Sequence, residues 1–315
     1  MSNRLQQLTA DDVDDELRLQ AHHSAWATCL FAGEPAVSRE HCEAGRRLYD
    51  PERHSLHHLL YGGHDPGMCA RYLGAQAHWL LGYPDKGLAL GSEALALAKR
   101  ISHPFSFAHA MQYNSMLHLE RGEPEIALRL IEAAEAIVAE QRLSFVLEPQ
   151  LLRGAALTAQ GTFEEAVVCL REGLARPSAM RVRCYGLARL ADVLTRKGEH
   201  SAALAAARDG LSTAEDTGHR QWEAELRRLE GIALSGLNRL EEGQSALEGA
   251  MRIARRQQAK AYELRAATSL ARLLGEQGRR AEAHKLLAPV YGWFTEGFDT
   301  RDLKEARALL DELTC

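Results

Sequence analysis

The chain has 315 residues, of which 46% are apolar and 26% are charged, with a formal net charge of −5. The lack of a basic excess argues against a nucleic-acid or anionic-membrane surface. The start of the chain, residues 1–11, is a polar tail without signal-peptide character, and no apolar run approaches the roughly 20 residues of a membrane span. Six scattered cysteines, among them Cys315, indicate reduced thiols, and we expect a cytoplasmic protein.

One short phrase recurs along the chain. It reads "GEPEIA" at 122–127, "GTFEEA" at 161–166, "GEHSAA" at 198–203 and "GRRAEA" at 278–283. Glycine or asparagine at its first position tolerates the left-handed backbone that ends a helix. We call that first residue the anchor. Seven anchors occur, at Gly33, Gly82, Gly122, Gly161, Gly198, Asn238 and Gly278.

Small residues stand in fixed register around the anchors. The fifth residue after every anchor is Ser, Gly or Ala, and the seventh before it is small in all copies except the first, where it is Trp26. The twelfth residue after is small in all copies except Val290. Small residues let two antiparallel helices approach closely, and Leu, Ile and Val between them follow helical spacing. The sequence therefore predicts helix–turn–helix repeats over 12–292.

Three segments depart from this regularity. The first two anchors are 49 residues apart, against 37–40 for the others, which predicts a long loop at 49–65. Asp65-Pro66 then fits the start of a helix. The segment 174–185 looks shortened. Residues 293–315 include "RDLKEARALLDEL", which predicts an amphipathic helix that caps the last repeat.

This register resembles the tetratricopeptide repeat in seven copies, with a period longer than the usual length of about 34 residues. The resemblance implies an all-α, right-handed superhelical solenoid with a C-terminal capping helix. "LYGGHDPGMCARYLGAQAHWLLGYPDKGL", "RRQQAKAYELRAATSLARLL" and "LLAPVYGWFTEGFDTRDLKEARALLDEL" further resemble the C-terminal region of bacterial regulators that carry adenylate/guanylate cyclase and AAA ATPase domains. The sequence contains no P-loop motif, so it is either free-standing or a fragment without that nucleotide chemistry.

In tetratricopeptide superhelices the first helix of each pair lines a concave groove. Carried over by register, the partner-binding groove consists of Tyr72, Gln76, Trp79, His109, Gln112, Met116, Tyr185, Arg228, Arg265 and Arg272.

Two alternatives remain open for these groove positions. The aromatic residues and Met116 form either an apolar anchor pocket or inter-helix core. The arginines either hold a carboxylate of a partner or pair within the chain, with Glu225, Glu263 and Glu276 as candidates.

Histidine is abundant near the start of the chain. Eight of the fourteen histidines fall within 22–78. A metal site formed by His54, His57, His58 and His64 is one interpretation, and a solvated loop with hydrogen-bonding histidines is the other, because no metal-ligand motif such as H-E-x-x-H occurs. Contact between His64 and Cys69 is also conceivable, although no catalytic signature surrounds them.

Three classes of function follow. The favoured hypothesis is a regulatory protein–protein interaction module that binds a peptide or a partner domain, without catalytic residues or cofactor. A small-ligand sensor linked to a cyclase or ATPase system is the second, and a metal-binding or enzymatic protein that uses the histidine-rich segment is the third. No nucleic-acid or membrane partner is expected, and dimerisation through exposed end repeats is left open.

Overall fold

The computed structural model describes residues 14–54, 56–61, 63–143, 148–177 and 182–314. The predicted polar tail, Cys315 and residues 178–181 of the shortened segment lie outside these ranges. Within them the chain forms sixteen α-helices and no strand, which confirms the predicted all-α superhelical solenoid.

Seven helix pairs follow one another along the chain, and a final helix covers the last pair. The first pair is followed by a single short helix, α3, in the long loop. The bounds are α1 (Asp15–Phe31), α2 (Pro35–Leu48), α3 (His57–Leu60), α4 (Pro66–Leu80), α5 (Pro84–Ile101), α6 (Pro104–Arg121), α7 (Pro124–Gln141), α8 (Pro149–Gln160), α9 (Phe163–Ala175), α10 (Arg183–Arg196), α11 (His200–Thr217), α12 (Glu223–Gly236), α13 (Leu240–Arg256), α14 (Lys260–Glu276), α15 (Arg280–Tyr291) and α16 (Arg301–Thr314).

The helix boundaries follow from local chemistry. All seven anchors adopt left-handed backbone, with φ between 61° at Asn238 and 87° at Gly82. Six helices carry proline in their first turn, where its missing N–H costs nothing. Asp65 caps α4, because its carboxylate accepts a 2.7 Å hydrogen bond from the backbone N–H of Met68.

The small residues lie at the seams between paired helices, as the register predicts. A Cβ placed on Gly87 would lie 2.9 Å from the carbonyl oxygen of Ala75, and one on Gly231 would lie 3.0 Å from that of Gly243. The first pair has the large Trp26 in place of a small residue, and its ring packs directly on Gly45 of the partner helix. At the Gly87 and Gly231 seams the small residue therefore lets the backbones of the paired helices approach closely.

The superhelix closes on itself. Helix α14 contacts α4, and the ring centroids of Trp79 and Tyr262 are 5.6 Å apart. Arg121 on α6 forms an ion pair with Asp299, 3.5 Å away, just before the capping helix. Early and late repeats thus enclose the inner surface instead of leaving an open groove. None of the helices in the described ranges combines the length and the apolar character that a membrane span requires.

Candidate functional site

The ten predicted groove residues lie on the first helices of their pairs, at the inner surface. Eight of them are buried, whereas Arg228 is half-buried and Arg272 is exposed. Six of the ten line two separate cavities, three in each.

The first cavity, called here the aromatic cavity, has a volume of about 30 Å³, close to that of one water molecule. Of the predicted residues, Gln76, Met116 and Tyr185 line it, together with Trp222, which the sequence analysis missed. Tyr185 and Trp222 pack with ring centroids 5.0 Å apart.

The second cavity, called here the arginine cavity, has a volume of about 460 Å³. Its wall contains six arginines and four carboxylates, so positive charge prevails. The charged groups are Arg189, Arg196, Arg228, Arg265, Arg272, Arg301, Asp192, Glu225, Asp302 and Glu305.

Two of the predicted arginines differ in their pairing. Arg228 donates two 2.8 Å hydrogen bonds to the carboxylate of Glu225. Burial opposes ionisation of Glu225, but the guanidinium groups of Arg228 and Arg265 outweigh it and hold the pKa of this carboxyl below its usual range. Arg272 makes no ion pair among the described residues.

Arg265 holds distant parts of the chain together in the wall of this cavity. Its guanidinium donates to the Glu120 carboxylate at 2.9 Å and to Asp302 at 2.6 Å, and it lies 5.0 Å from the centroid of the Trp79 ring. The side chain of Glu120 is 0% exposed. Four helices, α4, α6, α14 and α16, therefore meet at one buried charge.

Arg189 is the functional candidate that the sequence analysis missed. Its guanidinium lies beside the packed rings of Tyr185 and Trp222, 5.3 and 5.2 Å from their centroids, and 3.5 Å from a Glu120 oxygen. Burial opposes its charge, yet Glu120 and Tyr185 outweigh that effect and raise the pKa of Arg189. Its Nε and Nη2 are buried without a hydrogen-bond partner among the described residues.

A sequence signal for Arg189 does exist. It stands nine residues before its anchor, where four other repeats carry an aromatic or aliphatic residue. Those residues are Leu73, Tyr113, Leu152 and Leu229.

Two hydroxyl groups add to the unsatisfied polar atoms near Arg189. The hydroxyls of Tyr185 and Tyr262 are buried and lack a hydrogen-bond partner within the described ranges. Each unsatisfied buried group costs about 1–3 kcal/mol. Water or a ligand group that bonds to these atoms would remove that cost, which makes this interior a candidate binding site.

The other predicted groove residues pack in the interior between the early repeats. Tyr72 stacks on Tyr113 at 4.3 Å between ring centroids, and its hydroxyl lies 3.1 Å from Nε2 of His109. Gln112 is buried on the same helix as His109, and Trp79 packs on late residues. The four predicted residues among them line neither cavity, namely Tyr72, Trp79, His109 and Gln112.

The four predicted metal donors are divided among three places. His54 and His57 lie near Glu16. His58 packs against His103, with ring centroids 4.2 Å apart and the rings tilted by 39°. His64 lies beside His23 and Cys69.

Cys69 is not set up as a nucleophile. It is 2% exposed, and burial raises the pKa of its thiol to about 12. An activated cysteine has a lowered pKa, because the thiolate is the reactive form.

Comparison with known proteins shows the fold and a distant relative. No family model matches the chain. The chain is 26% identical over 269 residues to the uncharacterized protein R02095 of Rhizobium meliloti (strain 1021), a match that covers 82% of this chain and 26% of that protein. The chain therefore spans about a quarter of the length of this curated relative.

Two solved structures resemble the chain along most of its length. A Rap protein complexed with competence and sporulation factor gives a TM-score of 0.61 at 12% identity, covering 94% of this chain and 80% of that one. NprR in complex with its cognate peptide NprX gives 0.58 at 14% identity, covering 96% and 84%. Both likenesses show a tetratricopeptide-like helical-repeat fold.

Proposed function

We propose that the chain is a regulatory binding module that takes an acidic peptide, or an acidic segment of a partner protein, into the arginine cavity. The observation that carries this proposal is Arg189, a buried guanidinium in the cavity wall whose Nε and Nη2 lack a hydrogen-bond partner in the described ranges, although Nη2 forms an ion pair with Glu120 at 3.5 Å. A carboxylate is the group that satisfies such donors best, because a guanidinium binds it through paired, charge-assisted hydrogen bonds.

The rest of the cavity supports an acidic ligand of peptide size. Arginines outnumber carboxylates in its wall, and the exposed Arg272 offers a cation that no carboxylate of the described residues engages. Its volume of about 460 Å³ falls within the range of about 300–1,000 Å³ that is typical of ligand pockets. The Rap protein and NprR, whose folds are similar, were solved with a bound factor and a cognate peptide.

A second role concerns the setting of the module. We propose that it serves as the sensor segment of a larger regulator of the cyclase and ATPase type. Three stretches of sequence resemble such regulators, and the curated relative is about four times longer than the matched segment. In that setting ligand binding would alter how the early and late repeats close, and the neighbouring domains would respond to the change.

The test uses defined probes. Fluorescein-labelled, C-terminally amidated pentapeptides are prepared once with glutamate and once with glutamine at their three central positions, and binding is measured by fluorescence anisotropy. We expect the glutamate forms to bind more tightly. Arg272→Glu should weaken that binding about tenfold or more, since a charged hydrogen bond contributes about 1.5–3 kcal/mol.

Arg252→Glu is the matched control. It makes the same charge change at an exposed arginine on α13, outside the arginine cavity. Equal loss of affinity in the two variants, or no preference for carboxylates, would contradict the proposal. Thermal stabilisation by ATP, GTP or cyclic nucleotides, without a response to peptides, would favour the small-ligand sensor instead.

A further inference from the structure

Three potential metal ligands converge at the N-terminal end of the superhelix, away from the arginine cavity. His23 lies on α1, His64 lies in the loop before α4, and Cys69 lies on α4. Nε2 of His23 and Nε2 of His64 are 3.1 Å apart, and these atoms and Sγ of Cys69 all lie within 4.8 Å of one another.

The neighbours of these side chains favour ligation. Nδ1 of His23 lies 3.0 Å from Oε1 of Gln20, so its N–H donates to that oxygen and leaves the lone pair of Nε2 directed toward His64. Nε1–H of Trp26 donates to Sγ of Cys69 at 3.3 Å, which stabilises negative charge on the sulfur. Metal-binding histidines and thiolates commonly have such outer partners.

A second cluster nearby lacks a histidine nitrogen whose lone pair is available to a metal. His54, His57 and Glu16 also come within 4.8 Å of one another. However, Nδ1 of His54 accepts the backbone N–H of Asp50 at 2.9 Å, and Nδ1 of His57 accepts the side-chain amide of Gln20 at 2.7 Å. In the neutral rings both Nε2 atoms therefore carry the proton, and neither proton can move to Nδ1 without breaking these hydrogen bonds, whereas His23 in the first cluster already offers a lone pair.

We propose that His23, His64 and Cys69 bind a divalent cation of the zinc class, with a fourth position open to water or another ligand. Tetrahedral zinc with Zn–N distances of about 2.0–2.1 Å places two nitrogen ligands about 3.3 Å apart, close to the spacing of the two histidines. Imidazole and thiolate ligands suit zinc rather than magnesium or calcium.

The protons balance in this binding step. The Cys69 thiol loses its proton to solvent as the sulfur–metal bond forms, and the proton on Nε2 of His64 moves to Nδ1 as that nitrogen takes up the metal. His23 keeps its proton on Nδ1. The bound ion would tie α1, the long loop and α4 together, and so fix the first helix pair to the second.

The experiment uses cobalt as a spectroscopic substitute for zinc. The full chain is treated with EDTA and a thiol-free reductant, and then titrated with Co²⁺ alone. We expect one equivalent to produce a thiolate-to-cobalt charge-transfer band and the visible bands of tetrahedral cobalt, and Zn²⁺ to displace it. Cys69→Ser should abolish the charge-transfer band, and His23→Gln and His64→Gln should weaken binding by tenfold or more.

Two controls match these variants. Cys42→Ser removes another buried thiol, and His58→Gln removes a histidine of the same loop that packs near His103, and both should keep the cobalt bands. His64 is partly exposed, so His64→Gln serves as the test if Cys69→Ser does not fold. Absence of the bands in the unchanged chain, their persistence in Cys69→Ser, or their loss in His58→Gln would overturn the proposal. This outcome is independent of peptide binding.

Discussion

The turns between paired helices share one backbone conformation but have two kinds of surroundings. In the first three pairs, a Cβ on the turn glycine would collide with residues of the late repeats. In the fourth, fifth and seventh pairs, the same added atom would meet nothing within 4 Å. The first group is Gly33, Gly82 and Gly122, and the second is Gly161, Gly198 and Gly278.

The difference separates a local requirement from a tertiary one. Every turn needs a residue that tolerates positive φ, because the chain must reverse between two helices. The early turns also form the contact between the beginning and the end of the superhelix. Gly82, for instance, lies against Trp293, and Gly122 lies against Arg301. Closure of the inner surface therefore depends on residues that a single repeat does not reveal.

The most severe way to break this closure is to remove Arg265. Arg265→Ala leaves the buried carboxylate of Glu120 and the half-buried carboxylate of Asp302 without a close cation partner, and removing one partner of a buried ion pair costs about 3–5 kcal/mol. Urea unfolding should show a loss of that size in the free energy of unfolding. The exposed Arg272 provides the control, because Arg272→Ala should change it by less than about 0.5 kcal/mol. A loss below about 1 kcal/mol in Arg265→Ala would show that this contact does not hold the superhelix closed.

The partners of Arg265 also show where sequence reasoning reaches its limit. Turns and seams are predictable because they depend on residues close along the chain, such as Ala75 and Gly87 on either side of one anchor. The acids near the late arginines in sequence, Glu225, Glu263 and Glu276, are the candidate partners there, and Glu225 does pair with Arg228 and lies 3.6 Å from Arg265. Arg265 also binds Glu120 at 2.9 Å, although that residue is 145 positions away, because the early and late repeats meet at this point.

The same limit explains the histidines and Arg189. The four histidines grouped by position in the loop fall in three separate places, where only His54 and His57 stay together, and His64 meets His23, which lies 41 residues earlier. Arg189 interrupts a column that is aromatic or aliphatic in most repeats, so a register comparison would have flagged it. The surroundings that leave its N–H groups unsatisfied are Tyr185, Trp222 and Glu120, however, and these come from three different helical segments. A single repeat does not show that they meet.

Replacing one early and one late turn glycine by alanine tests the difference between the two groups of turns, with a smaller loss of stability than Arg265→Ala. Gly82 and Gly198 have φ of 87° and 80°, so alanine brings strain of about 1–2 kcal/mol at either position. At Gly82 the new methyl would also lie 2.5 Å from the Trp293 ring and 2.9 Å from Cβ of Lys260. Gly82→Ala should therefore destabilise the protein by about 1–3 kcal/mol more than Gly198→Ala.

A second substitution tests whether the Trp293 ring causes the extra destabilisation of Gly82→Ala. Trp293→Ala removes the closest obstacle, so it should recover part of the loss in Gly82→Ala and none in Gly198→Ala. Urea unfolding of the unchanged chain, the three single variants and the two double variants gives the coupling between each glycine and Trp293. Equal destabilisation by the two glycine variants would mean that the early turn is as free as the late one.

The smallest effect concerns the cap of helix α5. The carboxylate of Glu296 accepts the backbone N–H groups of Asp85 and Lys86 at 2.9 and 3.0 Å, a role that an N-cap residue usually fills from the preceding position. Here Tyr83 precedes the helix and its side chain makes no cap bond. The late repeats thus supply what the early helix lacks, and Glu296→Ala should cost about 1 kcal/mol in the free energy of unfolding.

Glu125→Ala separates capping from charge. Glu125 lies in the first turn of α7. Its replacement by alanine therefore removes one negative charge near a helix N-terminus without breaking a contact between early and late repeats. Only a general helix-dipole effect, screened by salt, should be lost there. A larger loss for Glu296→Ala that persists in high salt would mark Glu296 as a hydrogen-bonding cap, because direct hydrogen bonds to backbone N–H groups are less sensitive to screening. If both variants lose the same free energy of unfolding and the loss disappears in high salt, Glu296 acts only as a surface charge. The contact between early and late repeats would then depend on Arg265 and the early turns.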